Sequence, residues 1–339
     1  MFSRISQVTR HLSAPVVGNT RRFALGRTMT PISADERNSR TISTAACLII
    51  GDEVLGGKTV DTNSAYFAKW CFNLGINLKR IEVIEDDEGE IVEAVQRMSD
   101  RYDFVVTSGG IGPTHDDITY QSIAKAFNLP LKLHQETFDK MKLMSKVHPN
   151  QPKFDWDVDS PARRAKLRMA ELPIDESRDL KKQAVFPHDD LWVPVSVVNG
   201  NIHILPGIPR LFQRLLDGLK PHILPRLSDP EGKGTHRVLF STPLPESGVA
   251  DYLTTLAAKV GPKGVKVGSY PRWGKKNNTV TLVGRDLDYL ESLVDEVQAG
   301  IQGLRVDAES DGEEDPKQIK KQATEDADKD TAEQVVEKP

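Results

Sequence analysis

The chain has 339 residues, 38% hydrophobic and 28% charged, which is enough for one large or two smaller cores. A net charge of −4 and a pI near 6.1 give no general basis for nucleic-acid binding, so any affinity for phosphate must be local. Cys47 and Cys71 are the only cysteines and both sit in apolar patterns; nothing suggests a disulfide framework or a zinc site, and no apolar run reaches the length of a membrane span.

The first 34 residues carry Arg4, Arg10, Arg21, Arg22 and Arg27, several Ser and Thr, and no acid before Asp35. That bias matches a mitochondrial transit peptide, with a disordered basic arm as the alternative and Met29 as the start of a shorter cytosolic form. Residues 1–40 are therefore expected to lie outside the folded part. Ala45–Ile50 predicts a buried strand that ends at Gly51-Asp52-Glu53, followed by a loop over Val54–Asp61. Thr62–Leu74 has helical spacing, capped by Asp61 or Thr62 and stopped by Gly75. Lys79–Ile84 reads as a second strand. Asp86 and Asp87 compete to cap a helix over Glu88–Ser99, and Phe104–Ser108 gives a third strand.

The most informative stretch comes next, Thr107-Ser108-Gly109-Gly110-Ile111-Gly112-Pro113-Thr114-His115-Asp116-Asp117-Ile118-Thr119. It joins a strand to a helix over Ile118–Phe127. Its glycines let the backbone approach a ligand, and free amides at the helix start favour a phosphate. Asp116 and Asp117 could bind a divalent cation there, or one of them could simply cap the helix. Alternating strands and helices imply parallel pairing, and such sheets bind ligands beyond the carboxyl ends of their strands. That rule gathers Asp52 and Glu53, Asp86, and the glycine loop at one mouth. His115 could act as acid or base, or face solvent.

Farther on, His148-Pro149-Asn150-Gln151-Pro152 suggests a turn, and Ser160-Pro161 opens a short helix. Trp192–Val198 and Asn201–Leu205 form a hairpin around Asn199-Gly200, and Pro206-Gly207-Ile208-Pro209 starts another helix. From His236 the order becomes β-α-β-β-α, a small α+β subdomain that includes a helix over Leu287–Ile301. Tyr270, Arg272 and Trp273 could close a neighbouring subunit's cleft, stack on a flat ring, or end a strand as exposed residues. Residues 304–339 read as a solvated acidic tail. The expected division is 1–40, 41–232, 233–303 and 304–339.

Together, Gly51–Gly56, Asp61-Thr62-Asn63, Gly109–Thr119, Pro206-Gly207-Ile208-Pro209 and Gly268-Ser269-Tyr270-Pro271 resemble the MoaB/Mog, or molybdopterin-binding-like, superfamily. The last two segments resemble its CinA-like branch. Ser269–Trp273 and the His within Gly-Pro-Thr-His-Asp-Asp resemble the N-terminal domain of animal-type FAD synthases. The resemblance implies an α/β fold, a three-layer mostly parallel sheet with a small α+β subdomain, and dimers or trimers. It also implies either pterin binding or adenylylation, or metal-dependent splitting of FAD or ADP-ribose.

On that basis Asp52, Asp86, His115 and Asp117 are the candidate catalytic residues. Gly109, Gly110, Gly112, Thr114, Thr119, Tyr270 and Arg272 are the candidate substrate contacts. Asp52, Glu53, Asp116 and Asp117 are the candidate ligands for Mg, Mn or Co, with a monovalent cation as a further option. The expected partner is a small nucleotide or pterin, with neither nucleic acid nor membrane involved. Too few residues follow position 303 for the ATP-binding domain that FAD synthesis requires, so a complete FAD synthase is not expected.

Overall fold

The computed structural model describes residues 32–145, 154–231, 234–271 and 277–306. The basic arm before residue 32, the His148–Pro152 turn, Arg272, Trp273 and the tail beyond residue 306 lie outside the described residues.

Strands β1 (Thr44–Ile50), β2 (Asn77–Ile84) and β3 (Phe104–Ser108) alternate with helices Asn63–Asn73 and Glu88–Arg101. β1 is apolar almost throughout and buried from Ala45 to Ile50, as a central strand covered on both faces must be. The Glu88–Arg101 helix turns Ile91, Ala94, Val95 and Met98 inward. Asp87 caps it, accepting from the Gly89 and Glu90 amides at 2.8 and 3.1 Å, and this leaves Asp86 free of capping. After the glycine loop comes helix Thr119–Ala126. β4 (Leu131–Leu133) and β5 (Glu171–Pro173) then form a small antiparallel pair of their own. β6 (Ala184–Val185), β7 (Val195–Val198) and β8 (Ile202–Leu205) complete the main sheet, and β7 and β8 form the expected hairpin.

The main sheet runs β2-β1-β3-β8-β7-β6. Its first four strands are parallel, so Ile50, Ile84, Ser108 and Leu205 all end at one edge. Phe104, at the opposite end of β3, anchors the core. It is fully buried, with ring centroids 6.1 Å from Phe67, 5.9 Å from Trp70 and 4.3 Å from His203. His203 is neutral there, because burial pushes its pKa down to about 3.

A second sheet, β9 (His236–Thr242), β10 (Lys266–Tyr270), β11 (Asn278–Gly284) and β12 (Leu304–Val306), is antiparallel in the order β10-β11-β9-β12. It has a separate core around Phe240, Leu256, Leu282 and Leu290. The Thr235 amide donates to the Phe72 carbonyl at 3.1 Å, and Arg285 donates to the Gly75 carbonyl, which ties this sheet to the helix before β2.

Several details differ from the sequence reading. Asp52–Leu55 is a single helical turn rather than loop, with Asp52 and Glu53 at its favourable amino end. The expected helix over Leu287–Ile301 is two, Leu287–Ser292 and Val294–Gly300, joined at Leu293. Ala34–Ser39, read as part of the arm, is helical, and Arg37 ties it to the Ser99 carbonyl and to Asp100 at 2.7 and 2.9 Å. Leu304–Val306, read as tail, pairs with β9, and Gln298 and Glu291 hold Arg305. No described helix is long and apolar enough to cross a membrane.

Candidate functional site

Four segments leave the parallel edge together: Gly51–Glu53, Glu85–Asp86, Gly109–Gly112 and Pro206–Ile208. Their contacts are close. Gly109 adopts φ 113, and a Cβ there would collide with the Ile50 carbonyl oxygen. A Cβ on Gly207 would stand 3.3 Å from the Gly109 Cα. Asn63 links the ends of β3 and β8, donating to the Ser108 hydroxyl at 2.9 Å and the Gly207 carbonyl at 2.8 Å. Asp61 anchors the same helix start through the Ser64 amide at 3.0 Å, a capping role.

Asp52 and Asp86 face each other through reciprocal bonds. The Asp52 amide donates to the Asp86 carboxylate at 3.1 Å, and the Asp86 amide donates to the Asp52 carboxylate at 3.3 Å. Asp86 is half-buried, and that desolvation raises its pKa. The carboxylates of Asp52, Glu53 and Asp116 add to the rise, against the opposing bond from the Asp52 amide. Four acidic residues from three strand ends thus share one electrostatic neighbourhood.

The glycine loop is braced from inside. Asp117 accepts from the Gly112 amide at 2.7 Å, from the Thr114 amide at 2.8 Å and from the Thr114 hydroxyl at 2.5 Å. Asp117 does not cap the next helix, and neither does Asp116. That helix begins at Thr119, and its cap position, Ile118, has no side-chain bond. Thr119 is fully buried, so it cannot touch a ligand. Its hydroxyl donates to the Gly109 carbonyl and its amide to the Gly110 carbonyl, both at 2.9 Å. Thr114 and Thr119, read as substrate contacts, are thus placed as braces of the loop. Among the described residues the Gly110 and Ile111 amides meet no protein acceptor.

A cleft of about 480 Å³ opens beside these amides. Glu53, Gly109–Gly112 and Asp117 line one end, and Met169, Leu191, Trp192, Ile208 and Leu211 form an apolar wall. Arg168, next to Met169, donates to the Thr114 and Asp117 carbonyls at 2.8 and 2.9 Å. Sequence reasoning missed Arg168 and this wall. Arg168, Met169, Leu191 and Trp192 come from residues 154–193, where no apolar period marks a site, and Ile208 and Leu211 follow β8.

Two expected members stand apart. The His115 side chain is 96% exposed, and its one ionic contact is Asp116 at 3.8 Å. Tyr270 ends β10 on the second sheet, 55% exposed, and is not among the residues lining the cleft. Among the described residues, no three His, Cys, Asp or Glu side chains form a ready-made metal-holding group. The mouth offers instead the paired carboxylates of Asp52 and Asp86. Hard cations such as Mg²⁺ commonly need one or two carboxylates and take their other ligands from water and substrate phosphate. The oxygen-only donor set, with Glu53 and Asp116 nearby, fits such an ion.

Known proteins resemble the chain in sequence. A family described as "Probable molybdopterin binding domain" matches residues 46–227. A "Probable FAD synthase" of Caenorhabditis elegans is 31% identical over 265 residues, covering 77% of this chain and 50% of that protein. The chain therefore spans about half the length of this FAD synthase relative. A "CinA-like protein" of Anaeromyxobacter dehalogenans is 28% identical over 277 residues, covering 78% of this chain and 61% of its own. Among solved structures, the protein CinA with unknown function from Thermoplasma acidophilum aligns at 26% identity with a TM-score of 0.43, covering 54% of this chain and 98% of that one. The matched family spans more than half of the chain and takes in every strand of the main sheet except the first residues of β1, so the chain belongs to the MoaB/Mog family of probable molybdopterin-binding domains.

Proposed function

We propose that the cleft binds a diphosphate-linked nucleotide and hydrolyses it with the help of a divalent cation, FAD being the first candidate and ADP-ribose the second. The observation that carries this reading is a cleft lined by Gly110, Ile111 and an apolar wall, with the Asp52–Asp86 pair next to it: a Cβ on Gly110 would stand 3.3 Å from the Asp86 carboxylate. The amides suit the oxygens of a diphosphate. Met169, Leu191 and Trp192 suit a flat heterocycle attached to it.

Asp52 and Asp86 are the residues that would hold the cation. Bound there, it would neutralise phosphoryl charge and make water a better nucleophile. The chain's own residues do the rest. The loop amides fix the phosphate, and the apolar wall excludes bulk water. A carboxylate oxygen of the Asp52–Asp86 pair not engaged by the cation would accept the proton from the attacking water. Water adds to one phosphorus, the P–O–P bond breaks, and FAD plus water gives FMN plus AMP.

Full-length protein incubated with FAD and Mg²⁺, Mn²⁺ or Co²⁺ should release AMP and FMN in equal amounts, read by chromatography. No release from FAD, ADP-ribose or other dinucleotides with any of these ions defeats the hydrolase reading.

The second reading is a module that binds a pterin or nucleotide without turnover. The family's description and the apolar wall favour it, since both concern binding alone. Tight binding with no product selects it. ATP consumption that depends on added pterin would select adenylyl transfer to molybdopterin instead.

A further inference from the structure

Arg168 ends the helix Pro161–Arg168, which Ser160 caps, and reaches a loop that lies more than fifty residues earlier in the chain. Its Nη1 donates to the Thr114 carbonyl at 2.8 Å and its Nη2 to the Asp117 carbonyl at 2.9 Å. These two residues brace the glycine loop from inside, through the Asp117 carboxylate and the Thr114 amide. Apart from the guanidinium, the Thr114 amide and hydroxyl hold the Asp117 carboxylate, and the turn's backbone–backbone bond, from the Asp117 amide to the Thr114 carbonyl, is long at 3.3 Å. Met169, the next residue along, lines the cleft. One short stretch of chain therefore joins the apolar wall to the phosphate-facing loop.

We propose that Arg168 is the positioning residue of this site: its planar fork holds the Thr114–Asp117 turn, and through it the Gly112 amide and the loop conformation that presents Gly110 and Ile111 to a diphosphate. The proposal rests on the reading of the cleft as a phosphate site. It assigns Arg168 a role through the loop, with both of its bonds spent on protein carbonyls. A fork reaches two acceptors at a fixed spacing, and a lysine ammonium is a point charge on a flexible stem. Geometry and charge can therefore be separated by substitution.

The test uses the full chain with Arg168→Ala and Arg168→Lys. Hydrogen exchange followed by mass spectrometry, without ligand, should show residues 109–117 exchanging about tenfold faster in both variants, as loss of charge-assisted bonds implies, with β1 and β3 unchanged. With FAD and Mn²⁺, KM should rise about tenfold and kcat should fall less, and lysine should rescue neither. Exchange unchanged in both variants overturns the proposal, and so does full rescue by lysine, which would make Arg168 a source of charge alone. If the wild type neither binds nor hydrolyses FAD, the proposed function fails, and the exchange measurement still decides whether Arg168 sets the loop.

Discussion

Asp86→Asn should reduce AMP release from FAD on the order of 10²-fold or more, because it removes both a cation-holding carboxylate and a candidate proton acceptor. The same change should leave the unliganded protein as stable or more stable. Burial, with Asp52, Glu53 and Asp116 nearby, raises the Asp86 pKa in the folded state. A group with a raised folded pKa contributes its full stability below its unfolded pKa and loses it as pH rises through the folded pKa. At neutral pH the native protein therefore carries a penalty for the charged Asp86, which asparagine removes. The amide oxygen of asparagine can still accept from the Asp52 amide, so the local hydrogen bond survives. Thermal midpoints of wild type and variant should differ most at neutral pH and converge in acid. A clear loss of stability at pH 7 together with unchanged AMP release would assign Asp86 a purely structural role.

Gly109→Ala should be the most damaging small substitution at the mouth. Its φ of 113 is a backbone region that L side chains rarely adopt, and a Cβ there meets the Ile50 carbonyl oxygen of the neighbouring strand. The chain must either open the β1–β3 junction or twist the loop, at a cost of about 2–4 kcal/mol. Gly57→Ala is the matched control. Gly57 has a positive φ of 70 with nothing within 4 Å of an added Cβ, so it reports conformational strain alone. Chemical denaturation should show the Gly109 variant losing clearly more stability than the Gly57 variant, and FAD binding should be lost only in the former. Equal losses would mean that the close approach to Ile50 contributes nothing.

The strands and helices from Ala45 to Ala126 were legible because burial imprints a period on them, and β1 and β3 are too apolar to be anything but buried. The parallel-sheet rule placed Asp52 and Asp86 together from residues 34 apart, and in the structure each donates its amide to the other's carboxylate. The behaviour of Asp117 and Thr119 was not legible. Both were read as ligand groups, and both spend their polar atoms on the loop. That outcome depends on which amides the fold leaves unpaired, which residue order does not record. The 154–193 segment was opaque for a related reason. Its strands β5 and β6 have three and two residues, too short for a periodic signal. The Arg168 fork joins backbone carbonyls, which carry no side-chain signature at all.

The account depends most on one cleft holding phosphate and cation together. Titration calorimetry of Mn²⁺ into the full-length protein, with and without FAD or with AMP in its place, measures this directly. Two carboxylates alone should bind Mn²⁺ weakly, and a phosphate ligand should tighten that binding about tenfold or more, with Mn²⁺ tightening the nucleotide by the same factor. Asp86→Asn should abolish this mutual gain. Nucleotide and Mn²⁺ affinities that ignore each other, in wild type and variant alike, would contradict the shared site.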